Sequence, residues 1–109
     1  MSASWRRVCR FDDVPVDGFL PADVAGKPLV VLRHGSAVSC FYDQCSHQDV
    51  PLSLFGERQG HVLICQAHGA EFAITDGQPL TPPACKALTA YPVRVFEGWI
   101  EIDWSTEEA

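Results

Sequence analysis

Two short motifs constrain this chain more than anything else in it: Cys45-Ser46-His47 and Cys65-Gln66-Ala67-His68, with 17 residues between them. Each pairs a thiol with an imidazole at a spacing that lets one loop or strand aim both at a single point. Two such loops facing each other supply two sulfurs and two nitrogens. One cysteine alone is ordinarily a small buried hydrophobe, and one histidine alone is ordinarily a core or surface residue. The joint spacing is what points to a metal. Gly69 lets the backbone turn tightly just after the second motif, and Asp49-Val50-Pro51 breaks regular structure after the first.

Composition supports metal over disulfides. The chain has 109 residues, five Cys and four His. One domain of this length buries roughly two-thirds of its unfolded surface, and small domains often add disulfides or a metal as a staple. Five is an odd number for a disulfide framework. No apolar run approaches the roughly 20 residues that cross a bilayer, and the first ten residues lack the apolar stretch of a secretory signal. The expected compartment is the cytoplasm, with no membrane partner, and there disulfides are rare. A net charge of −6 opposes binding to phosphate backbones, so no nucleic-acid partner is expected. It suits docking on basic protein surfaces. With 47% hydrophobic and 20% charged residues the chain is globular rather than disordered.

The patterning is all-β. No segment reads as an amphipathic helix of 12 or more residues; short apolar or alternating runs are separated by Gly, Pro and Asp. Strands are expected over 5–9, 19–24, 29–33, 37–42, 62–65, 71–74, 93–96 and 99–103. His34-Gly35-Ser36, Asp76-Gly77 and Glu97-Gly98 serve as turns. Ile100 and Ile102 share one face of the last strand while Glu101 and Asp103 share the other, the period of a half-buried strand. Such spacing suggests an antiparallel sandwich or barrel. Residues 44–84 have few long strands and three of the four His. They are expected to form a loop-rich subdomain on a base made of 4–43 and 85–104. The tail from Ser105 is polar and acidic and is expected to fray.

Ligand order bears on the metal. Tetrahedral zinc accepts two Cys and two His, but zinc fingers usually place two Cys before two His. Here each motif is mixed, an order that suits a two-iron site in which each loop gives a thiolate to one iron and an imidazole to the other. Neutral histidines remove negative charge from the ligand shell and raise the potential relative to an all-Cys cluster. No set of two His and a carboxylate with open positions marks a mononuclear iron site. Cys9 and Cys40 lie in apolar strands as packing residues; Cys85 follows a Pro-rich turn. His34 and His61 sit beside Gly in turns at the surface. Arg6, Arg7 and Arg10 make a solvated basic face.

The motifs, with Trp5-Arg6-Arg7-Val8-Cys9, Gly69-Ala70-Glu71-Phe72, Asp76-Gly77, Pro83-Ala84-Cys85 and the run from Leu88 to Val95, resemble the Rieske-type [2Fe–2S] proteins. The likeness covers nearly the whole chain and is strongest to the ferredoxins of bacterial aromatic ring-hydroxylating dioxygenase systems. It implies one [2Fe–2S] cluster per chain, with Cys45 and Cys65 on an inner iron and His47 and His68 on an outer iron. It also implies a monomeric electron carrier rather than an enzyme, taking electrons from a flavin NAD(P)H reductase and passing them to a terminal oxygenase. Two other roles fit the same residues: a Rieske-type small subunit of an assimilatory nitrite reductase, and a structural zinc domain. The family's ferredoxins usually carry Pro and an aromatic where Gln66-Ala67 stands here, a departure that bears on partners more than on the cluster.

High-potential members carry an extra disulfide-linked Cys in each ligand loop, and Ser and Tyr hydroxyls near the cluster sulfurs. The matching positions hold Val50, Ala67, Ala70 and Phe72, so added negative charge is less stabilised. The midpoint potential is expected toward the low end of the Rieske range of about −150 to +300 mV. Protein-film voltammetry at neutral pH checks this, and a strongly positive midpoint contradicts it.

Overall fold

The structure, a computed structural model, describes residues 3–46, 50–67, 69–81 and 86–108. The stretch Leu29-Val30-Val31-Leu32 is the organising segment. Four consecutive apolar residues leave no polar face for solvent, so a strand containing them must be covered on both sides. They lie in β3 (Lys27–His34), and all four are fully buried. β3 pairs antiparallel with β2 (Leu20–Val24) and β4 (Ala37–Tyr42) to make a three-stranded sheet.

Alternation then sends the side chains of this sheet into two cores. Leu29, Val31 and Cys40 join Ile100, Ile102, Tyr91 and Trp104 on one side. Val30, Leu32 and Phe41 join Leu63, Phe72, Ile74 and Leu88 on the other. The first core is closed by a sheet ordered β1–β10–β9, with β1 (Trp5–Arg10), β9 (Val93–Phe96) and β10 (Trp99–Asp103). A four-stranded antiparallel meander closes the second: β5 (Gly56–Gln59), β6 (Val62–Cys65), β7 (Ala70–Ala73) and β8 (Pro79–Thr81). The architecture is all-β and antiparallel, as the patterning implies. Among the described residues, no helix is long and apolar enough to cross a membrane.

Strands β4, β6, β9 and β10 match the sequence expectation residue for residue. Strands β5 and β8, together with a one-turn helix α1 (Leu52–Phe55), arise where no pattern announced them. β5 reads Gly-Glu-Arg-Gln; it is a strand because β6 offers an edge, not because its own residues favour extension. The tail differs from expectation. Ser105–Glu108 forms a helical turn, α2, and Trp104 stacks on Tyr91 with ring centroids 5.7 Å apart. Glu107 accepts hydrogen bonds from Lys27 (2.9 Å) and Tyr91 (3.0 Å). The hydrogen bond from Lys27 holds the Glu107 carboxyl below its usual range. A buried indole and an ion pair anchor what composition alone assigns to solvent.

Arginines on the outer face of the β1–β10–β9 sheet are also more engaged than a solvated face. Glu101, nearly buried, accepts Arg94 at 2.8 Å and 2.7 Å, and Arg7 lies 3.8 Å away. Arg7 and Arg10 stand over Trp99, and Arg94 over Trp5 and Phe96. Opposite charge and stacking thereby satisfy an otherwise costly buried carboxylate.

Cys9 and Cys40 both pack in the base core. Burial, with Asp13 nearby, pushes the Cys9 thiol up to about 11; burial, with Cys9 nearby, pushes Cys40 up to about 12. Both are neutral thiols at physiological pH and weak nucleophiles. In the folded protein at pH 8 they should resist iodoacetamide and react only on unfolding, which mass spectrometry of labelled peptides would show. A second expectation concerns Gly77, at φ +77°, where an added Cβ would meet the Phe41 ring at 2.9 Å and Leu88 at 3.0 Å. Gly77→Ala should cost about 2–4 kcal/mol in denaturant titration, through left-handed backbone strain and overpacking. Gly35→Ala, at φ +68° in open space, should cost only about 1–2 kcal/mol from the backbone alone.

Candidate metal centre

The second core reaches the end of the β5–β8 meander, and the cysteines of both motifs, Cys45 and Cys65, lie in it. Cys65 ends β6, opposite Gly56 on one side and Ala70 on the other. Cys45 follows β4 after a short turn. The two thiols are about 1% exposed or less and share one cluster with Leu52, Ala70 and Phe72. Neither forms a disulfide. Loops from two different sheets thus converge because one apolar core holds both.

Short hydrogen bonds close each loop. The Cys45 N–H donates to the Val50 carbonyl at 2.9 Å, bridging the first motif. In the second, Gly69 N–H donates to the Cys65 carbonyl at 2.7 Å, a tight turn that uses φ +74° at Gly69. Gln66 N–H donates to the Phe55 carbonyl at 2.7 Å, tying the second loop to α1 just after the first. The Ser46 hydroxyl donates to the Lys86 carbonyl, tying the first loop to the returning chain. His47 and His68 lie outside the described residues, as does Cys85. Val50 and Ala67 have no thiol to staple the loops together; Val50 packs against the core and Ala67 is exposed. Ala70 and Phe72 are fully buried and bring no side-chain donor.

The two remaining histidines stand elsewhere. His61 precedes β6 while Cys65 ends it, a separation of about 13 Å at strand rise. His34, half-buried, lies 2.9 Å from the Ser39 hydroxyl. Its burial, with Arg58 and His61 nearby, holds the imidazole below its usual value. A cavity of about 210 Å³ beside Cys45 is lined by Tyr42, Gln44, Ser46, Lys86, Ala87 and Thr89. It is smaller than the pockets of about 300–1,000 Å³ that enclose small-molecule ligands.

Sequence reasoning passed over Asp43 and Ser53. The Ser53 N–H donates to Asp43 Oδ1 at 2.7 Å, and the Ser53 hydroxyl donates to Oδ2. A signal was present: Pro51 precedes α1 and offers no side-chain cap, so the helix start needed an acceptor from elsewhere. The partner, ten residues upstream, is visible only in three dimensions.

Donor chemistry tests the cofactor. Two buried thiols on separate, internally braced loops suit iron–sulfur ligation, where soft thiolates sit inside and imidazoles complete the set. The comparisons agree. A family model for the Rieske [2Fe-2S] domain matches residues 4–92. The 3-phenylpropionate/cinnamic acid dioxygenase ferredoxin subunit of Escherichia coli (strain K12) is 33% identical over 96 residues, covering 87% of this chain and 89% of its own. Among solved structures, the ferredoxin of carbazole 1,9a-dioxygenase from Nocardioides aromaticivorans IC177 superposes with a TM-score of 0.83. It is 25% identical, and the match covers 93% of this chain and 98% of that one. A ferredoxin in a complex of reduced oxygenase and oxidised ferredoxin of carbazole 1,9a-dioxygenase superposes with a TM-score of 0.82, at 29% identity and 94% of each chain. With fold, buried sulfurs and family model in agreement, the chain belongs to the Rieske [2Fe–2S] domain family.

Proposed function

We propose that this protein is a one-electron carrier that serves an aromatic ring-hydroxylating dioxygenase, with Cys45, His47, Cys65 and His68 as the ligands of its [2Fe–2S] cluster. The observation that carries the ligand assignment is the convergence of Cys45 and Cys65, from different sheets, in one core at one end of the meander. When bound, the cluster supplies a one-electron couple. The chain's own residues bury the two sulfurs, hold the loops closed and keep water from the inner side. In this reading residues 44–84 form the cluster-binding subdomain on a base of 4–43 and 85–104.

The relatives are ferredoxin components, and one of the solved structures joins a ferredoxin to its oxygenase. The same partner suits this chain, and a flavin-dependent NAD(P)H reductase supplies the electrons. Catalysis resides in the oxygenase, in keeping with the small cavity beside Cys45. A monomer in the cytoplasm meets both partners in turn, which calls for a small docking patch and weak, quickly released complexes. The net charge of −6 favours basic partner surfaces and rates that fall with salt.

Analysis of the isolated protein for two irons and two labile sulfides per chain, with visible absorption, tests the assignment. Bound zinc without sulfide contradicts it. Cys45→Ser and His68→Ala should each lose the cluster and destabilise the middle segment, because ligation there contributes to folding. Unchanged absorption in either variant removes that residue from the ligand set.

A further inference from the structure

Asp43 is a buried carboxylate, only 9% exposed, and its surroundings are unusual for one. Both oxygens are taken by Ser53, Oδ1 by the N–H and Oδ2 by the hydroxyl. Its own N–H donates to the Pro28 carbonyl at 3.1 Å, anchoring it to the start of β3. The ion pairs of Glu101 with Arg7 and Arg94 and of Glu107 with Lys27 do not involve Asp43. Burying a carboxylate is costly unless hydrogen bonds satisfy it, and Ser53 supplies them.

The place of this pair in the chain supplies a reason. Asp43 and Ser53 bracket the first motif, so their two hydrogen bonds close a loop that contains Cys45. Inside it the Cys45–Val50 hydrogen bond makes a second, smaller closure. Ser53 is the second residue of α1, and α1 carries the Phe55 carbonyl that holds Gln66 beside Cys65. One carboxylate thus braces the Cys45 loop directly and the Cys65 loop through a single helical turn. We propose that Asp43 is a positioning residue for the cluster: its clasp on Ser53 sets the Cys45 loop and, through α1, the Cys65 loop. This rests on Cys45 being an iron ligand, as proposed above. Partners that orient ligands typically change metal affinity by about 10–100-fold when removed.

Three variants of the loaded protein separate the roles. Asp43→Ala removes both acceptors, Asp43→Asn keeps an oxygen for the Ser53 N–H but removes the charge, and Ser53→Ala removes only the hydroxyl bond. The readouts are the rate of cluster loss to a chelator and the EPR g-values of the reduced protein. Asp43→Ala should lose the cluster about 10-fold faster or more. Asp43→Asn should recover most of the retention. If Asp43→Ala fails to fold, Ser53→Ala decides: faster loss with altered g-values supports the clasp, and unchanged loss and g-values overturn it. A wild-type chain without iron and sulfide overturns the ligand reading and the clasp with it; a loaded wild type beside unaffected variants overturns the clasp alone.

Discussion

The burial of β3 on both faces is the constraint on which the rest of this molecule depends. Leu29, Val30, Val31 and Leu32 are each fully buried, and no single covering layer can achieve that. One layer must come from the chain's two ends, where β1, β9 and β10 meet. The other must come from its middle, the β5–β8 meander. Because the terminal strands and the middle strands cover opposite faces, the chain has to leave the base sheet after β4 and return before β9. The two crossing points, around Asp43 and around Lys86, are where the first ligand loop is held.

That arrangement explains why so small a chain can present a metal centre. A loop bearing ligands must be ordered without a large core of its own, and the entropy of ordering it is considerable. Here the second core extends to the end of the meander and takes in Cys45 and Cys65 as members. Backbone hydrogen bonds at Cys45, Gln66 and Gly69 then fix the loops locally. Cysteines so held would keep a bound cluster in place through a one-electron change with little need for the protein to rearrange, which suits a carrier that must work repeatedly. The base, by contrast, puts its stabilising contacts far from the centre, in the Arg–aromatic face around Glu101 and in the Trp104–Tyr91 stack.

How much of this was legible beforehand varied with the range of the interaction. Strands such as Val62–Cys65 and Trp99–Asp103 showed in the pattern because their own residues alternate or cluster. β5 and β8 did not show, since their extension is imposed by neighbours in the meander. The acidic tail was misleading for a similar reason: Trp104 stacks on Tyr91 and Glu107 pairs with Lys27, partners that lie elsewhere in the sequence. Cys9 and Cys40 were readable as packing residues from the apolar runs around them. Nothing around Asp43, two residues before a motif cysteine, names Ser53 as its partner.

The sequence by itself determined the Cys-His pairing in each motif and the all-β class, because residue type, spacing and strand periodicity are local properties. The Cys-His pairing in each loop, rather than any count of cysteines, carried the family. Tertiary structure alone decided that β3 divides two cores, that the two cysteine loops share one of them, and that a carboxylate after β4 caps a helix on the far side of the first loop. Those are contacts between segments whose separation along the chain bears no relation to their distance in space, and only packing brings them together.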